Sequence, residues 1–176
     1  MSEAIKRATD QHKVMTVISA PKPEPRKKTH MRRPKSERKV WTDRLDKIVR
    51  EIVLARDEFC VLTGHHAGAS QCGHLITRAK LHTRWDLTNC NCQCAGCNLK
   101  HEFYPETYTL WWLNYFGRDE YVRLNREAES TVKYTIDELE TMFVELTEIQ
   151  KRQQNDPRWK PYFTQAEILS GSWRGA

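Results

Sequence analysis

The feature that most constrains this chain is a pair of cysteines, Cys94 and Cys97, separated by two residues. Two thiolates at this spacing, where a loop enters a helix, present both sulfur atoms to one tetrahedral zinc ion. The remaining ligands must come from elsewhere, so the segments that carry them have to fold back onto this point. No secretory signal and no apolar run of membrane-spanning length is recognisable. We therefore expect a reducing cytoplasm and no membrane partner, and there clustered cysteines indicate metal rather than disulfides.

The other half of the zinc site is incomplete in the sequence. Cys60 lies 34 residues before Cys94 and is the predicted third ligand, but Thr63 stands where a second cysteine is expected. The candidates for the fourth ligand are, in order of preference, His65, His66 and Cys72. A strand over CGHL would put Cys72 on the same face as His74 and away from the zinc site, because strand side chains alternate. Cys90 and Cys92 lie in the extended segment just before Cys94 and Cys97, and we predict that their thiols are packing residues.

Charge divides the chain into segments. Its net charge is +6, yet residues 1–40 hold twelve Lys and Arg against four Asp and Glu, whereas the remainder is slightly acidic. This stretch predicts a disordered basic arm over residues 1–40 that follows DNA phosphates, with a solubilising tail as the alternative. A folded domain is expected over residues 41–153 and a polar tail over 154–176. The predicted nucleic-acid-binding residues are Arg26, Lys27, Lys28, Arg32, Arg33 and Lys35 in the arm, with Arg78, Lys80 and Lys100 in the domain.

Helical patterns flank a segment without helical period. An apolar stripe from Leu45 to Val53 predicts a helix capped by Thr42, and two short strands are expected between residues 60 and 88. Further helices are predicted from the Cys94–Ala95 junction to about Phe103, from 106 to Gly117, and over 118–128. The last helix begins at a capping box formed by Thr135 and Glu138. The expected fold class is α+β, with a small zinc-containing core embedded in helices.

A second constellation follows the cysteines. Asn98 and His101 stand at i and i+3, on one face of the helix that the cysteine pair begins, and His74 lies on a predicted strand. An amide oxygen and an imidazole opposite a strand histidine can form a one-metal nuclease. In such a site Mg²⁺ or Mn²⁺ stabilises the leaving oxygen, while His74 takes a proton from the attacking water.

This arrangement resembles the His-Asn-His, or ββα-metal, endonucleases, and within them the lambda-phage NinG (Rap) recombination proteins. The similarity runs from about residue 45 to 150. It is carried by RDEFC, the GH pair at 73 and 74, RWDLTNCNCQCAGCN, the helix from Tyr108 to Gly117, and YTIDEL. The resemblance implies a phage enzyme in the bacterial cytoplasm that cuts Holliday junctions and other branched DNA.

The resemblance also assigns roles. His74 matches the general base, Asn89 the middle asparagine that ties the loop so that the base is aimed, and Asn98 a divalent-metal ligand; His101 stands where the family often has lysine. Gln71 stands near the place of an aspartate that would assist the metal, and glutamine binds magnesium weakly. The carboxylates offered as substitutes are Asp86 and Glu102.

Two other functions compete with this hypothesis. One is an endonuclease of the same class that acts on linear duplex DNA, and the other is a non-catalytic zinc protein that binds nucleic acid. Symmetric cleavage of a junction requires two active sites, so a homodimer is the expected state of the enzyme.

Overall fold

The computed structural model describes residues 35–64 and 71–176 and consists of helices around a two-stranded sheet. The elements, in chain order, are α1 Glu37–Asp57, β1 Gln71–His74, β2 Cys90–Gln93, α2 Ala95–Phe103, α3 Glu106–Phe116, α4 Arg118–Glu129, α5 Ile136–Asn155, α6 Gln165–Ser170 and a 3-10 turn Ser172–Gly175. This mixed architecture agrees with the predicted α+β class. In the described part of the chain, no helix is both long and apolar enough to cross a bilayer.

The first helix begins earlier than the sequence pattern predicted. Ser36 is its N-cap, and the Ser36 hydroxyl accepts a hydrogen bond from the Lys39 amide at 3.3 Å. Thr42, the predicted cap, lies inside α1, where its hydroxyl donates to the Arg38 carbonyl at 2.8 Å. The prediction of the cap was wrong because Ser36 offers the same chemistry six residues earlier. The expected boundary between arm and domain at residue 40 therefore falls within a helix.

The main core lies between α1 and α5. The predicted α1 stripe is buried in full, from Leu45 to Val53. Thr135 caps α5, and its hydroxyl and the Glu138 carboxylate form the predicted capping box. The apolar stripe of α5 packs against α1 through Leu146 and its neighbours, and α1 in turn packs against both strands of the sheet.

The sheet is a short antiparallel ribbon. Only β1 lies within the range where two strands were predicted; its partner β2 comes two residues after that range. Cys72 pairs with Cys92 and His74 pairs with Cys90, so all four side chains share one face. Both β2 cysteines are buried in the main core, as predicted for packing thiols.

The opposite face of the sheet contacts α3 through the Asn91 side chain. Asn91 donates to the Tyr108 hydroxyl at 2.9 Å, and the Trp112 indole donates to the Thr88 carbonyl at 2.9 Å. Tyr108 and Trp112 are fully buried with Leu124 of α4. Trp112 therefore belongs to a core, whereas its neighbour Tyr115 is 56% exposed.

The C-terminal segment differs from the expected polar tail. Residues after 154 include α6 and a 3-10 turn, and they bury Ile168 and Trp173 in the main core. The Leu87 amide donates to the Phe163 carbonyl at 2.9 Å, which ties this segment to the residues before β2. Its apolar residues are spaced too irregularly to show a helical or strand period, so only long-range packing reveals their role.

Candidate functional site

Three of the four predicted zinc ligands come together at the start of α2. The sulfur atoms of Cys60, Cys94 and Cys97 lie within 4.8 Å of one another. Cys94 is the N-cap of α2, and its sulfur accepts a hydrogen bond from the Cys97 amide at 3.4 Å. Cys60 begins a tight turn in which the Gly64 amide donates to the Cys60 carbonyl at 2.8 Å. Zinc–sulfur bonds of about 2.3 Å in a tetrahedron place sulfurs about 3.8 Å apart, so the three donors fit zinc.

The three candidates for the fourth zinc ligand lie in different places. His65 and His66 lie outside the described residues. Cys72 belongs to a different group of donors, on the sheet face predicted for it.

Burial, with hydrogen bonds to the neighbouring thiols, raises the pKa of Cys97 to about 12. Crowded thiols of this kind ionise when a cation compensates their charge, which suits a metal site.

His74 is held by a backbone carbonyl. Its Nε2 lies 3.1 Å from the Arg84 carbonyl oxygen. A carbonyl only accepts, so Nε2 carries the proton and the lone pair of the neutral ring is on Nδ1. Burial lowers the pKa of His74 to about 4, so the imidazole is neutral near pH 7. The strand end thus presents a neutral imidazole with one ring nitrogen able to accept a proton.

Asn89 fastens the loop that orients His74. Its amide oxygen accepts from the Ile76 amide at 2.8 Å, and its amide nitrogen donates to the Ile76 and Thr83 carbonyls at 3.0 and 2.8 Å. Both ends of the loop between His74 and Arg84 are therefore fixed by one buried side chain. This geometry matches the loop-tying role that the family resemblance implied for Asn89.

Asn98 and His101 face the sheet from α2. The Asn98 amide nitrogen donates to the Gln71 side-chain oxygen at 2.8 Å, which leaves the Asn98 oxygen as the atom suited to a cation. The His101 ring packs edge-on against Tyr108, with the ring centroids 4.9 Å apart. Its Nδ1 is buried and has no hydrogen-bond partner among the described residues.

Gly73 leaves room for a buried amide. A Cβ at position 73 would lie 2.5 Å from the carboxamide carbon of Gln93, so any larger residue there requires the Gln93 side chain to move. Both polar atoms of the Gln93 amide are buried without a partner in residues 35–64 and 71–176. Because an unpaired buried amide is costly, this point suits a bound water molecule, polar group or ion.

An open cavity of about 940 Å³ is lined by three of the four predicted catalytic residues, and the fourth, Asn89, does not line it. His74 and Gln71 line it from β1, and Asn98 and His101 line it from α2. Its cationic lining residues are Lys47, Arg50, Arg78 and Arg84. Lys80 and Lys100 are exposed but are not among the lining residues, and Lys35 pairs with Asp43. The other predicted arm residues lie outside the described residues.

The contribution of α1 to this cavity was not predicted from the sequence. Lys47 and Arg50 were part of an ordinary polar helix face, and no local pattern distinguishes them from other surface cations. Asp46 also lines the cavity, where the Arg84 guanidinium binds it at 2.6 Å. Only the packing of α1 beside β1 shows that these charges surround His74.

The two proposed carboxylates have different positions. Glu102 lines the cavity and is exposed, so it can approach a cation bound near Asn98. Asp86 is fully buried and does not line the cavity. Its oxygens accept from Thr88 at 2.7 Å and from Arg123 at 3.0 Å. The suggestion that Asp86 assists the catalytic metal was therefore wrong, because these structural hydrogen bonds occupy it.

Comparison with known proteins identifies the family of this chain. A family model described as "NinG: Bacteriophage Lambda NinG protein" matches residues 2–156. The comparisons with curated proteins and with solved structures found no match. The matched range contains every residue that lines the cavity. It also contains two groups of possible metal donors, one formed by Cys60, Cys94 and Cys97 and the other by Cys72, His74 and Cys90.

Proposed function

Because this chain belongs to the bacteriophage lambda NinG protein family, we propose that it is a metal-dependent endonuclease that cleaves branched DNA in the host cytoplasm. The observation that carries the proposal is the cavity that His74, Asn98 and His101 line together. A strand pair followed directly by a helix presents these groups, as in a ββα-metal core. Zinc at Cys60, Cys94 and Cys97 would fix the start of that helix, with His65 as the preferred fourth ligand.

The chemistry follows from the positions of the side chains. His74 donates its Nε2 proton to the Arg84 carbonyl, so Nδ1 accepts a proton from a water molecule in the cavity. Asn89 keeps the loop that carries this carbonyl in place. Asn98 and His101, with Glu102 nearby, are the residues that would hold Mg²⁺ or Mn²⁺. When bound, that ion neutralises the phosphate and stabilises the leaving oxygen.

The cations around the cavity explain how DNA would be held next to His74, the general base. Lys47, Arg50 and Arg78 are exposed at the cavity, where they can contact the phosphates on either side of the cleaved bond. The basic arm would add salt-dependent affinity. A homodimer would bring two cavities to one junction and so permit paired cuts.

Cleavage of a four-way junction by His74→Ala tests the proposal. We expect a loss of about 10²-fold or more with Mg²⁺ present, because a general base contributes that much, while junction binding is retained. His82→Ala is the matched control, since His82 hydrogen-bonds Ser130 and does not line the cavity. Equal cleavage rates for the wild type and His74→Ala would refute the mechanism.

Substrate preference requires a separate comparison. The wild type should cut a four-way junction or a flap faster than linear duplex at the same salt concentration. Equal rates on all three would favour the duplex endonuclease.

A non-catalytic DNA-binding protein is the second candidate, and one observation favours it. Magnesium sites usually include carboxylates, yet the cavity carboxylate on α1, Asp46, is already paired with Arg84. Tight junction binding without Mg²⁺- or Mn²⁺-dependent cleavage would support this candidate.

A further inference from the structure

A second group of metal-binding side chains lies on the sheet, apart from the cysteines at the start of α2. The ligand atoms of Cys72, His74 and Cys90 are within 4.8 Å of one another. The strand register explains the group: His74 is paired with Cys90, and Cys72 lies two residues before His74 on the same face. No member is shared with the group of Cys60, Cys94 and Cys97.

The histidine in this group is oriented as metal-binding histidines usually are. A ligating imidazole typically donates its second N–H to a backbone carbonyl or a carboxylate, which fixes the ring and its tautomer. His74 does this with the Arg84 carbonyl at 3.1 Å. The Cys90 thiol points to the same carbonyl, at 3.5 Å. The neutral ring keeps one lone pair, and a cation bound by either ring nitrogen leaves the other nitrogen protonated.

The donor set and its surroundings select the metal. Two thiols and an imidazole are soft or intermediate donors that favour zinc, whereas Mg²⁺ and Mn²⁺ prefer oxygen. Cys72 and His74 line the cavity, and Cys90 is fully buried behind them. An ion can therefore arrive from the cavity, and three protein donors leave its fourth position open. The catalytic ion would not compete for this group.

We propose that Cys72, His74 and Cys90 form a second zinc site that inhibits the enzyme. Zinc bound there uses the lone pair of His74, so the imidazole no longer accepts a proton from water. Binding releases the thiol protons and changes no oxidation state. The inhibition rests on the proposed nuclease function, whereas the existence of the site does not.

Metal stoichiometry tests the site without any use of DNA. Reduced, metal-depleted protein is titrated with Co²⁺, whose visible absorption reports tetrahedral thiolate ligation, and the titration is repeated with Zn²⁺. The wild type should bind two equivalents and Cys72→Ser one. Cys97→Ser is the matched control, because it should lose the other equivalent. One equivalent in the wild type, or two in Cys72→Ser, would overturn the proposed site.

Zinc inhibition tests the regulatory role. With Mg²⁺ in excess, added Zn²⁺ should inhibit wild-type cleavage, and Cys72→Ser should need at least about tenfold more zinc for the same inhibition, which corresponds to a loss of about 1.4 kcal/mol of binding free energy. Each variant is compared with its own zinc-free rate. Cys90→Ala, checked by circular dichroism, provides a second variant. Equal zinc sensitivity in folded variants would refute the inhibitory role.

If no protein cleaves DNA at all, the nuclease proposal fails while the two-equivalent stoichiometry still decides whether the site exists. A second equivalent that Cys72→Ser abolishes, in a protein without nuclease activity, would establish a metal site independent of cleavage.

Discussion

Replacement of Arg56 by methionine should destabilise the fold more than any surface substitution. Arg56 is fully buried at the end of α1, where it forms an ion pair with Asp57. It also donates to the Leu87, Cys90 and Pro161 carbonyls at 2.7, 2.7 and 3.1 Å. One guanidinium thus joins α1 to the approach to β2, to β2 itself and to the C-terminal segment.

The size of the stability loss follows from the buried groups that the substitution leaves without a partner. Both side chains of the ion pair are at most 2% exposed, so methionine leaves the Asp57 carboxylate buried without its cation. Removal of one partner from a buried pair costs about 3–5 kcal/mol. The carbonyls that lose a donor add to the cost, although such effects are not additive. Since a domain is stable by only about 5–15 kcal/mol, Arg56→Met should remove a large share of the stability of the fold.

Urea denaturation followed by circular dichroism measures this effect. We expect the free energy of unfolding to fall by at least about 3 kcal/mol with little change in the m-value. Arg158→Met is the matched control: the Arg158 side chain is 97% exposed, and its loss should change stability by less than about 0.5 kcal/mol. In a double-mutant cycle, Asp57→Asn should be less harmful in the Arg56→Met background than alone. A loss below about 1 kcal/mol would refute the reasoning.

Three further predictions concern the site. Gly73→Ala should displace the Gln93 side chain and lower cleavage, and Gln93→Ala in the same chain should restore folding stability because it removes the clash; no recovery in thermal denaturation would contradict this account. Asn89→Ala should lower kcat by at least about tenfold by releasing the loop that holds His74, with hydrogen exchange at Ile76 as the structural readout; unchanged exchange would show that the loop is fixed otherwise. Residues 1–33 hold nine Lys and Arg against three Asp and Glu, and their deletion spares the Ser36 cap. In DNA-binding titrations, this deletion should reduce the slope of log K against log salt by up to about 5. An unchanged slope would show that the arm makes no phosphate contacts.

Local sequence signals predicted several helix boundaries, although not the start of α1 or the presence of α6. The start of α2 at the cysteine pair, the end of α3 before Gly117 and the capping box of α5 each depend on contacts within a few residues. The same holds for half of the candidate site, because Asn98 and His101 share a helix face whatever surrounds them. The resemblance supplied the roles of His74 and Asn89, which no local pattern distinguishes from structural residues.

By itself, the sequence determined the periodic and capped elements, the cysteine pair that begins α2 and the uneven distribution of charge. Tertiary structure alone decided that Asp86 is a buried hydrogen-bond acceptor, that Cys90 joins Cys72 and His74, and that Arg56 ties three segments together. The physical reason is range. Helix periods and caps arise from interactions over a few residues, whereas the role of a single polar side chain depends on partners tens of residues away, and these leave no period in the sequence.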